Sequence, residues 1–170
     1  MTTAAETVIR PATEPDCERL LAMIRELAGY ERLAEKVVGD VETLRRTLFE
    51  ERAAEALMIE TEAGEPVGYA IFYVTFSSFE CRSGIWLEDV YVRPDHRRGG
   101  IGGAVMEHLA ALAVRRGHTR LEWCALDWNQ PALDFYAGLG ASQLGEWTML
   151  RMERPEIEAL AGSPRANQDT

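Results

Sequence analysis

The sequence lacks the cysteine and histidine patterns that mark metal-binding and disulfide-rich proteins. Its three cysteines form no CxxC pair, and its three histidines are not spaced like the ligands of one metal ion. We therefore expect no metal site, and we expect each cysteine to serve as a small hydrophobic residue.

Long apolar runs are also missing. A helix that spans a membrane needs roughly 18 or more consecutive apolar residues, and no stretch of the sequence approaches that length. The opening stretch, MTTAAETVIRPAT, does not have the basic flank and apolar core of a secretory signal. These absences predict a cytoplasmic protein with no membrane partner.

Positive charge is scarce in this chain. Lysine and arginine total 18 against 28 aspartate and glutamate residues, which gives a net charge of −10 at pH 7. Proteins that bind nucleic acid need a basic surface to meet the phosphates, so we expect no nucleic-acid partner. An acidic protein is compatible with a small cationic substrate, although acidity also simply aids solubility.

The apolar content is that of an ordinary globular protein. With 46% apolar residues over 170 positions, the chain can bury one substantial core. It contains no internal repeat, low-complexity tract or interior linker. We predict a single domain over residues 1–154, followed by a tail at 155–170 that forms a short helix and is then disordered.

Hydrophobic periodicity predicts alternating strands and helices. Strands are expected at 7–11, 56–62, 67–76, 84–92, 121–125 and 147–152, and helices at about 14–29, 41–48, 100–116 and 130–139. Thr13 with Asp16, and also Asp40, are typical of helix starts. This order predicts an α/β fold in which helices cover the faces of a mixed sheet.

One stretch, RRGGIGG at Arg97–Gly103, places four glycines between a predicted strand and a predicted helix. The N–H groups at a helix start attract phosphate, and glycine removes the Cβ atoms that would keep a ligand away from the backbone. The stretch has neither the Gly-Lys-Ser/Thr end of a Walker A loop nor a GxGxxG fingerprint. It indicates either a phosphate site of another kind or a plain glycine-rich turn.

Arg97, Gly100 and Gly102 match the R/Q-x-x-G-x-G/A signature of the GCN5-related N-acetyltransferases (GNAT). The segments IRPAT, ELAGYERL, LEDVYVRPDHRRGGIG and LDWNQPALDFYAGLGA are similar to the spermidine/spermine and thialysine N-acetyltransferase branch of that family. The resemblance runs from Ile9 to about Met152. In the loop, Arg98 and Gly99 stand where relatives often carry a glycine and a bulkier residue, which should alter loop flexibility more than phosphate binding.

The resemblance implies a GNAT-type fold, with a mixed, mostly antiparallel sheet of six to seven strands and helices on both faces, and it implies a homodimer. It also implies acetyl-CoA as the cosubstrate, with the pantetheine arm along a strand backbone and the pyrophosphate in the glycine loop. The residues implied in cofactor binding are Val90, Tyr91, Val92, Arg97, Arg98, Gly99, Gly100, Ile101, Gly102, Gly103, Asn129, Pro131 and Ala132.

Acetyl transfer to an amine requires a general base. An alkylamine with a pKa of about 10.4 is almost wholly protonated at pH 7, and an ammonium has no lone pair with which to attack a thioester. Strand alternation places Glu88 on one face with Trp86 and Val90, where apolar neighbours would favour its neutral form. The resemblance implies that Glu88 is the base, acting through water; otherwise it is a carboxylate that faces solvent or pairs with an arginine.

The departing thiolate requires an acid. Asn129 and Pro131 are typical of a helix start, and Tyr136 shares a face of that helix with Phe135. By itself a tyrosine there is core packing. In the N-x-P-A-x-x-F-Y pattern of the family, however, the tyrosine protonates the thiolate of CoA, so the resemblance implies Tyr136 as the general acid.

The acceptor is expected to be a small cationic amine: a diamine, a polyamine, or thialysine or another lysine analogue. Carboxylates and aromatic rings both attract an ammonium group. The resemblance implies an amine site formed by Tyr30, Glu31, Glu88, Asp89, Glu122, Trp123 and Cys124. The alternative is that Tyr30 is a core residue and Glu31 is merely solvated.

Two other functions use the same features. The chain could acetylate a protein or peptide, in which case an extended open groove is expected. It could also be a CoA-binding module without catalysis, but such a module is expected to lack the catalytic Glu88 or Tyr136, and both residues are present.

Overall fold

The computed structural model describes residues 7–163. A five-stranded sheet has the order β1-β2-β3-β4-β5. The strands are β1 Thr7–Pro11, β2 Glu55–Thr61, β3 Pro66–Ser77, β4 Arg82–Val92 and β5 Leu121–Trp123. The first four strands pair antiparallel, and β5 runs parallel to β4. The sheet is therefore mixed and mostly antiparallel, as predicted, within an α/β fold.

The predicted strand number, six to seven, was wrong. Across residues 7–163 the sheet has five strands, and the expected strand at 147–152 is irregular chain. The expected strand at 121–125 ends at Trp123. An alternating pattern predicts which face of a strand would be buried. A strand forms, however, only where a neighbouring strand can form hydrogen bonds with its backbone.

Five α-helices accompany the sheet in the described part of the chain. They are α1 Cys17–Tyr30, α2 Val41–Arg45, which continues as a π-helical turn over Arg46–Glu50, α3 Ile101–Arg116, α4 Gln130–Gly138 and α5 Arg154–Ala161. Asp40 caps α2 as predicted, since its carboxylate accepts from Thr43 N at 2.7 Å. No helix among these residues combines the length and hydrophobicity needed to cross a bilayer.

The described chain divides after Asn129 into two compact units. The first contains the sheet with α1, α2 and α3, and the second contains α4 and α5. The predicted domain boundary at residue 154 stays a prediction. The predicted disorder at the end of the tail falls on residues 164–170, which lie outside the described residues.

The core of the first unit lies on both faces of the sheet. On one face Leu20 and Met23 of α1 pack with Met58, Tyr69 and Tyr91, which are aligned across β2, β3 and β4. The opposite face of the sheet is also buried. Its buried side chains are Leu57 and Ile59 of β2 and Ala70 and Phe72 of β3, and α3 adds Val105 and Leu109. Helices therefore cover a sheet that is apolar on both sides.

A β-bulge interrupts β4 at Glu88. Ile71 of β3 pairs with Asp89, but the next residue, Phe72, pairs with Leu87, so Glu88 has no partner opposite it. One extra residue reverses the alternation of side chains beyond it. The prediction that Trp86, Glu88 and Val90 share one face was therefore wrong. Residues that pair opposite one another lie on the same face of the sheet. This pairing puts Leu87 and Val90 on one face and Trp86 on the opposite face.

Candidate active site

The glycine loop leads into α3 with space above its backbone. Gly100 has φ of +81° and forms the N-cap, a conformation that favours glycine. A Cβ added at Gly103 would meet no atom within 4 Å, so packing within the protein does not explain why this position lacks a side chain. The first turn of α3 also leaves N–H groups without intrahelical acceptors. This loop fits the phosphate site that the sequence predicts.

The end of β4 beside this loop is free along one edge. β5 pairs only with Ile85–Leu87, so beyond Leu87 no strand within residues 7–163 pairs with β4 on that side. Arg93 N donates to Val67 O, which by alternation turns the peptide groups of Val90 and Val92 away from β3. Val90 can therefore present its N–H and carbonyl groups to an extended ligand, and Val92 its N–H group, because the Val92 carbonyl already accepts from Arg97 Nε.

Tyr91 departs from its predicted role. It pairs with Tyr69 in the register that turns its peptide groups toward β3, so we do not assign its backbone to a ligand. Its side chain is buried, and its hydroxyl donates to Glu26 Oε2 at 3.1 Å. Glu26 also accepts two hydrogen bonds from Arg93, which, with a smaller effect of the Tyr91 bond, keep the pKa of Glu26 below its usual value.

Arg97 lies beside the free end of β4. Its Nε donates to Val92 O at 2.8 Å, and its guanidinium carbon lies 4.8 Å from the centroid of the Tyr30 ring and 5.7 Å from that of Tyr91. The next residue, Arg98, is exposed and has φ of +66°. Two arginines thus flank the start of the glycine loop.

Tyr30 closes α1 and contacts the segment that precedes α4. Its hydroxyl lies 3.5 Å from Asn129 Oδ1, and its ring centroid lies 6.4 Å from that of Trp128. Arg32 in turn lies over the Trp128 ring at 5.7 Å. The structure therefore brings Tyr30 together with Arg97 and Asn129, two residues predicted to bind the cofactor.

The two carboxylates at the bulge occupy different environments. Glu88 is exposed and accepts from Trp86 Nε1 at 3.0 Å, so the expected apolar surroundings of Glu88 are absent. Asp89 is partly buried and accepts from the Tyr69 hydroxyl at 3.1 Å. Burial, with a smaller contribution from the charges of Glu88 and Glu31, raises the pKa of Asp89 to about 6.

Further side chains surround this pair. Burial raises the pKa of Glu31, whose charge acts on Asp89. Burial, followed by the charge of Glu88, raises the pKa of both Tyr73 and Cys124. Glu31, Glu88 and Asp89 therefore form a group of carboxylates, which we call the acidic cluster.

Two other residues predicted for the acceptor lie on β5. Glu122 forms an ion pair with Arg120, with 2.8 Å between Oε2 and Nε. Because Arg120 already offsets the negative charge of Glu122, Glu122 attracts the ammonium group of an acceptor less strongly. Trp123 is partly buried and aligned with Leu87 of β4.

The second unit contains α4, on which the predicted site residues Pro131, Ala132 and Tyr136 lie. Pro131 stands in the first turn, where a missing N–H costs nothing. Tyr136 is partly buried, and its ring centroid lies 5.1 Å from that of Phe135. Its carbonyl accepts from Leu139 N and Ala141 N, which ends the helix.

Comparison with known proteins decides the family. The model of the acetyltransferase (GNAT) family matches residues 6–141. The chain belongs to this family. It is an acetyltransferase whose acetyl donor is acetyl-CoA, and the predicted resemblance is confirmed.

Curated relatives agree with the predicted branch. The acetyltransferase is 39% identical to thialysine N-epsilon-acetyltransferase of Bos taurus, over 93% of this chain and 99% of the relative. It is 34% identical to the Caenorhabditis elegans protein of the same name, over 88% and 93%. It is 25% identical to L-ornithine N5-acetyltransferase NATA1 of Arabidopsis thaliana, over 89% and 86%.

Solved structures share the fold. An integron cassette protein from the mobile metagenome of V. cholerae superposes with a TM-score of 0.77 at 25% identity, covering 92% of this chain and 98% of that one. An aminoglycoside acetyltransferase from an uncultured soil metagenome gives 0.72 at 19% identity, covering 86% and 97%. The second likeness concerns the fold alone.

Sequence reasoning missed three residues that interact with the candidate site residues. Tyr69 donates to Asp89, the charge of Glu88 acts on Tyr73, and Trp128 packs near Tyr30. Tyr69 and Tyr73 lie on a strand whose apolar and aromatic sequence is typical of a protein core, so nothing in the neighbouring residues indicates a functional role for them. Trp128 lies in the segment LDWN, which carried the resemblance, and it could have been included on that ground.

Proposed function

We propose that this acetyltransferase moves the acetyl group of acetyl-CoA to a primary amine of a small cationic acceptor, by direct attack in a ternary complex. The acidic cluster of Glu31, Glu88 and Asp89 carries the proposal, because it offers negative charge to an ammonium group beside the free end of β4. Curated relatives that are named for thialysine and ornithine support the same acceptor class.

The donor side of the proposal uses the glycine loop and the strand end. Residues 97–103 would hold the pyrophosphate, and the peptide groups of Val90 with the N–H group of Val92 would hold the pantetheine arm. Asn129, Pro131 and Ala132 complete the proposed donor site. The thioester of acetyl-CoA, when bound, supplies the acetyl group.

The chemistry then falls to a few side chains. Asp89 and Glu31 attract the ammonium group of the acceptor, while Glu88, which is exposed to water, takes its proton directly or through a water molecule. Tyr136 donates a proton to the departing sulfur, since a phenol is neutral at pH 7 and can still donate. These roles are proposals, as are a homodimeric state and a cytoplasmic location.

The experiment measures release of free CoA from acetyl-CoA by thiol detection, with a panel of acceptors. The panel contains spermidine, putrescine, thialysine, lysine, ornithine and a short lysine peptide. We expect kcat/KM for at least one small amine to exceed that for the peptide by more than tenfold.

The other outcomes separate the alternatives. Preference for the peptide would replace the small acceptor by a protein. No turnover with any amine, while calorimetry still detects acetyl-CoA binding, would contradict the proposed acceptor class. A Glu88→Gln variant serves as the control for background hydrolysis, because it keeps the shape of the side chain and cannot take a proton.

A further inference from the structure

Arg97 is held in place without being neutralised. Two tyrosine rings face its guanidinium group at 4.8 and 5.7 Å, and a backbone carbonyl accepts from its Nε. Within residues 7–163 no carboxylate forms an ion pair with it, whereas Arg93, four residues earlier, is paired with Glu26 at 2.9 Å. A cation over aromatic rings keeps its full charge, which stays available to an anion.

The two rings contribute differently. Tyr91 is 4% exposed and is fixed by its hydrogen bond to Glu26 and by the Tyr69 ring, whose centroid lies 6.0 Å away. Tyr30 is 42% exposed and belongs to the last turn of α1. Of the two tyrosines that face Arg97, Tyr30 is therefore the one that can be substituted without disturbing the core.

The contacts of Tyr30 group it with the donor side. Its ring faces Arg97 and packs near Trp128, and its hydroxyl lies close to Asn129. Arg97 and Asn129 both belong to the proposed donor site. An acceptor ammonium would have to compete with the Arg97 guanidinium for this ring.

We propose that Tyr30 is a positioning residue of the donor site, which together with Tyr91 holds the charged guanidinium of Arg97 ready for the pyrophosphate of acetyl-CoA. This inference rests on the proposed function, since the pyrophosphate is the ligand it names. It moves Tyr30 out of the acceptor site, where the sequence resemblance had placed it.

The decisive experiment is calorimetric titration of CoA into the wild type and into Tyr30→Leu and Tyr30→Phe variants. Loss of the ring in Tyr30→Leu should weaken CoA binding about three- to tenfold. Tyr30→Phe keeps the ring and should bind CoA within about twofold of the wild type. Phe79→Leu, an aromatic-to-leucine change at a hairpin residue that is 93% exposed, is the matched control and should have no effect.

A double-mutant cycle tests whether Tyr30 acts through Arg97. In an Arg97→Ala background, Tyr30→Leu should weaken CoA binding no further, because the group it positions is gone. A full additional loss in that background would overturn the inference. KM for the amine, measured at saturating acetyl-CoA, should be unchanged in Tyr30→Leu.

The outcomes distinguish this inference from the proposed function. If the wild type binds CoA and Tyr30→Leu binds it equally well, the inference is wrong and the proposed function stands. A raised amine KM in Tyr30→Leu with unchanged CoA affinity would likewise overturn it and return Tyr30 to the acceptor site. Failure of the folded wild type to bind CoA would refute both.

Discussion

At the scale of single residues, Asp89 is a carboxylic acid whose protonation the fold shifts toward neutral pH. Burial raises its pKa to about 6 from an ordinary value of 3.8. The folded state therefore binds more protons than the unfolded chain between these two values, and stability falls as the pH rises from about 4 to 6. Above pH 6 the buried charge costs on the order of 2–3 kcal/mol.

We expect Asp89→Asn to remove this dependence. The Tm of the variant minus the Tm of the wild type should be several degrees larger at pH 8 than at pH 5, because at pH 8 only the wild type buries a charge. Thermal unfolding at both values of pH measures the change. A Tm difference between variant and wild type that is the same at pH 5 and pH 8 would contradict the assignment of the shifted pKa.

The same titration should appear in acceptor binding. Wild-type KM for the amine should rise as the pH falls through about 6, because Asp89 loses its charge, whereas Asp89→Asn should show a KM that is already high and does not change over that range. Glu122→Gln is the matched control, since the charge of Glu122 is already paired with Arg120. An equal rise of KM below pH 6 in the Asp89→Asn variant would exclude Asp89 from the acceptor site.

Tyr136 is the second residue for which a sharp prediction follows. Replacing the phenol by phenylalanine removes the proposed proton donor and leaves the ring. Tyr136→Phe should lower kcat by roughly tenfold to a thousandfold, with CoA affinity within about twofold of the wild type. Steady-state kinetics and calorimetry measure the two quantities, and near-normal turnover would remove Tyr136 from the mechanism.

At the scale of elements, the first turn of α3 combines a stability requirement with a binding requirement. Glycine is a poor helix residue, and a negative side chain near a helix N-terminus is favourable. Gly103 lies in this turn, with open space where a Cβ would stand. The protein thus keeps a glycine that costs stability, as expected where a phosphate must approach the backbone.

We expect Gly103→Asp to change stability and binding in opposite directions. The variant should raise Tm by a few degrees and should weaken CoA binding at least tenfold, because its carboxylate repels the pyrophosphate. Gly103→Ala separates bulk from charge and should raise Tm with a smaller loss of affinity. Unchanged CoA affinity in Gly103→Asp would exclude the first turn of α3 from the donor site.

Elements of this protein differ in how far the sequence can predict them. The glycine loop and α3 are local features, so their residues and their order along the chain sufficed to place them. The bulge at Glu88 depends on the register between β3 and β4, and a pattern of alternating residues carries no sign of one residue too many. That extra residue leaves Glu88 without a partner on β3 and exposed, so the burial expected for Glu88 is not found there, whereas the neighbouring Asp89 is partly buried.

The contacts of Tyr30 could not be predicted for a different reason. A resemblance assigns a residue to a site through its position in the alignment of a family, but the Tyr30 ring meets Arg97 and Trp128, which lie about 70 and 100 residues further along the chain. Only the folded arrangement of α1, β4 and the segment before α4 brings these side chains together. The family and its donor were predictable from the sequence, whereas the contacts between Tyr30, Arg97 and Trp128 were not.

At the scale of the whole molecule, two substrates of opposite charge must reach a protein whose net charge is −10. A cationic amine is attracted both by the whole molecule and by the acidic cluster. Acetyl-CoA is repelled by the net charge and, at the proposed donor site, would be attracted by Arg97 and Arg98, which precede the glycines of the loop. These opposing contributions should make the two Michaelis constants respond differently to salt.

We expect KM for a dicationic amine to rise several-fold between about 20 and 300 mM NaCl, because salt shortens the range of electrostatic attraction. KM for acetyl-CoA should change by less than about twofold over the same range, since screening weakens the repulsion and the attraction together. A monocationic amine of equal length is the control and should show about half the logarithmic slope of the dicationic amine. Equal salt slopes for the two amines would mean that charge outside the reacting group does not contribute to acceptor binding, and the acidic cluster would then act on the attacking amine alone.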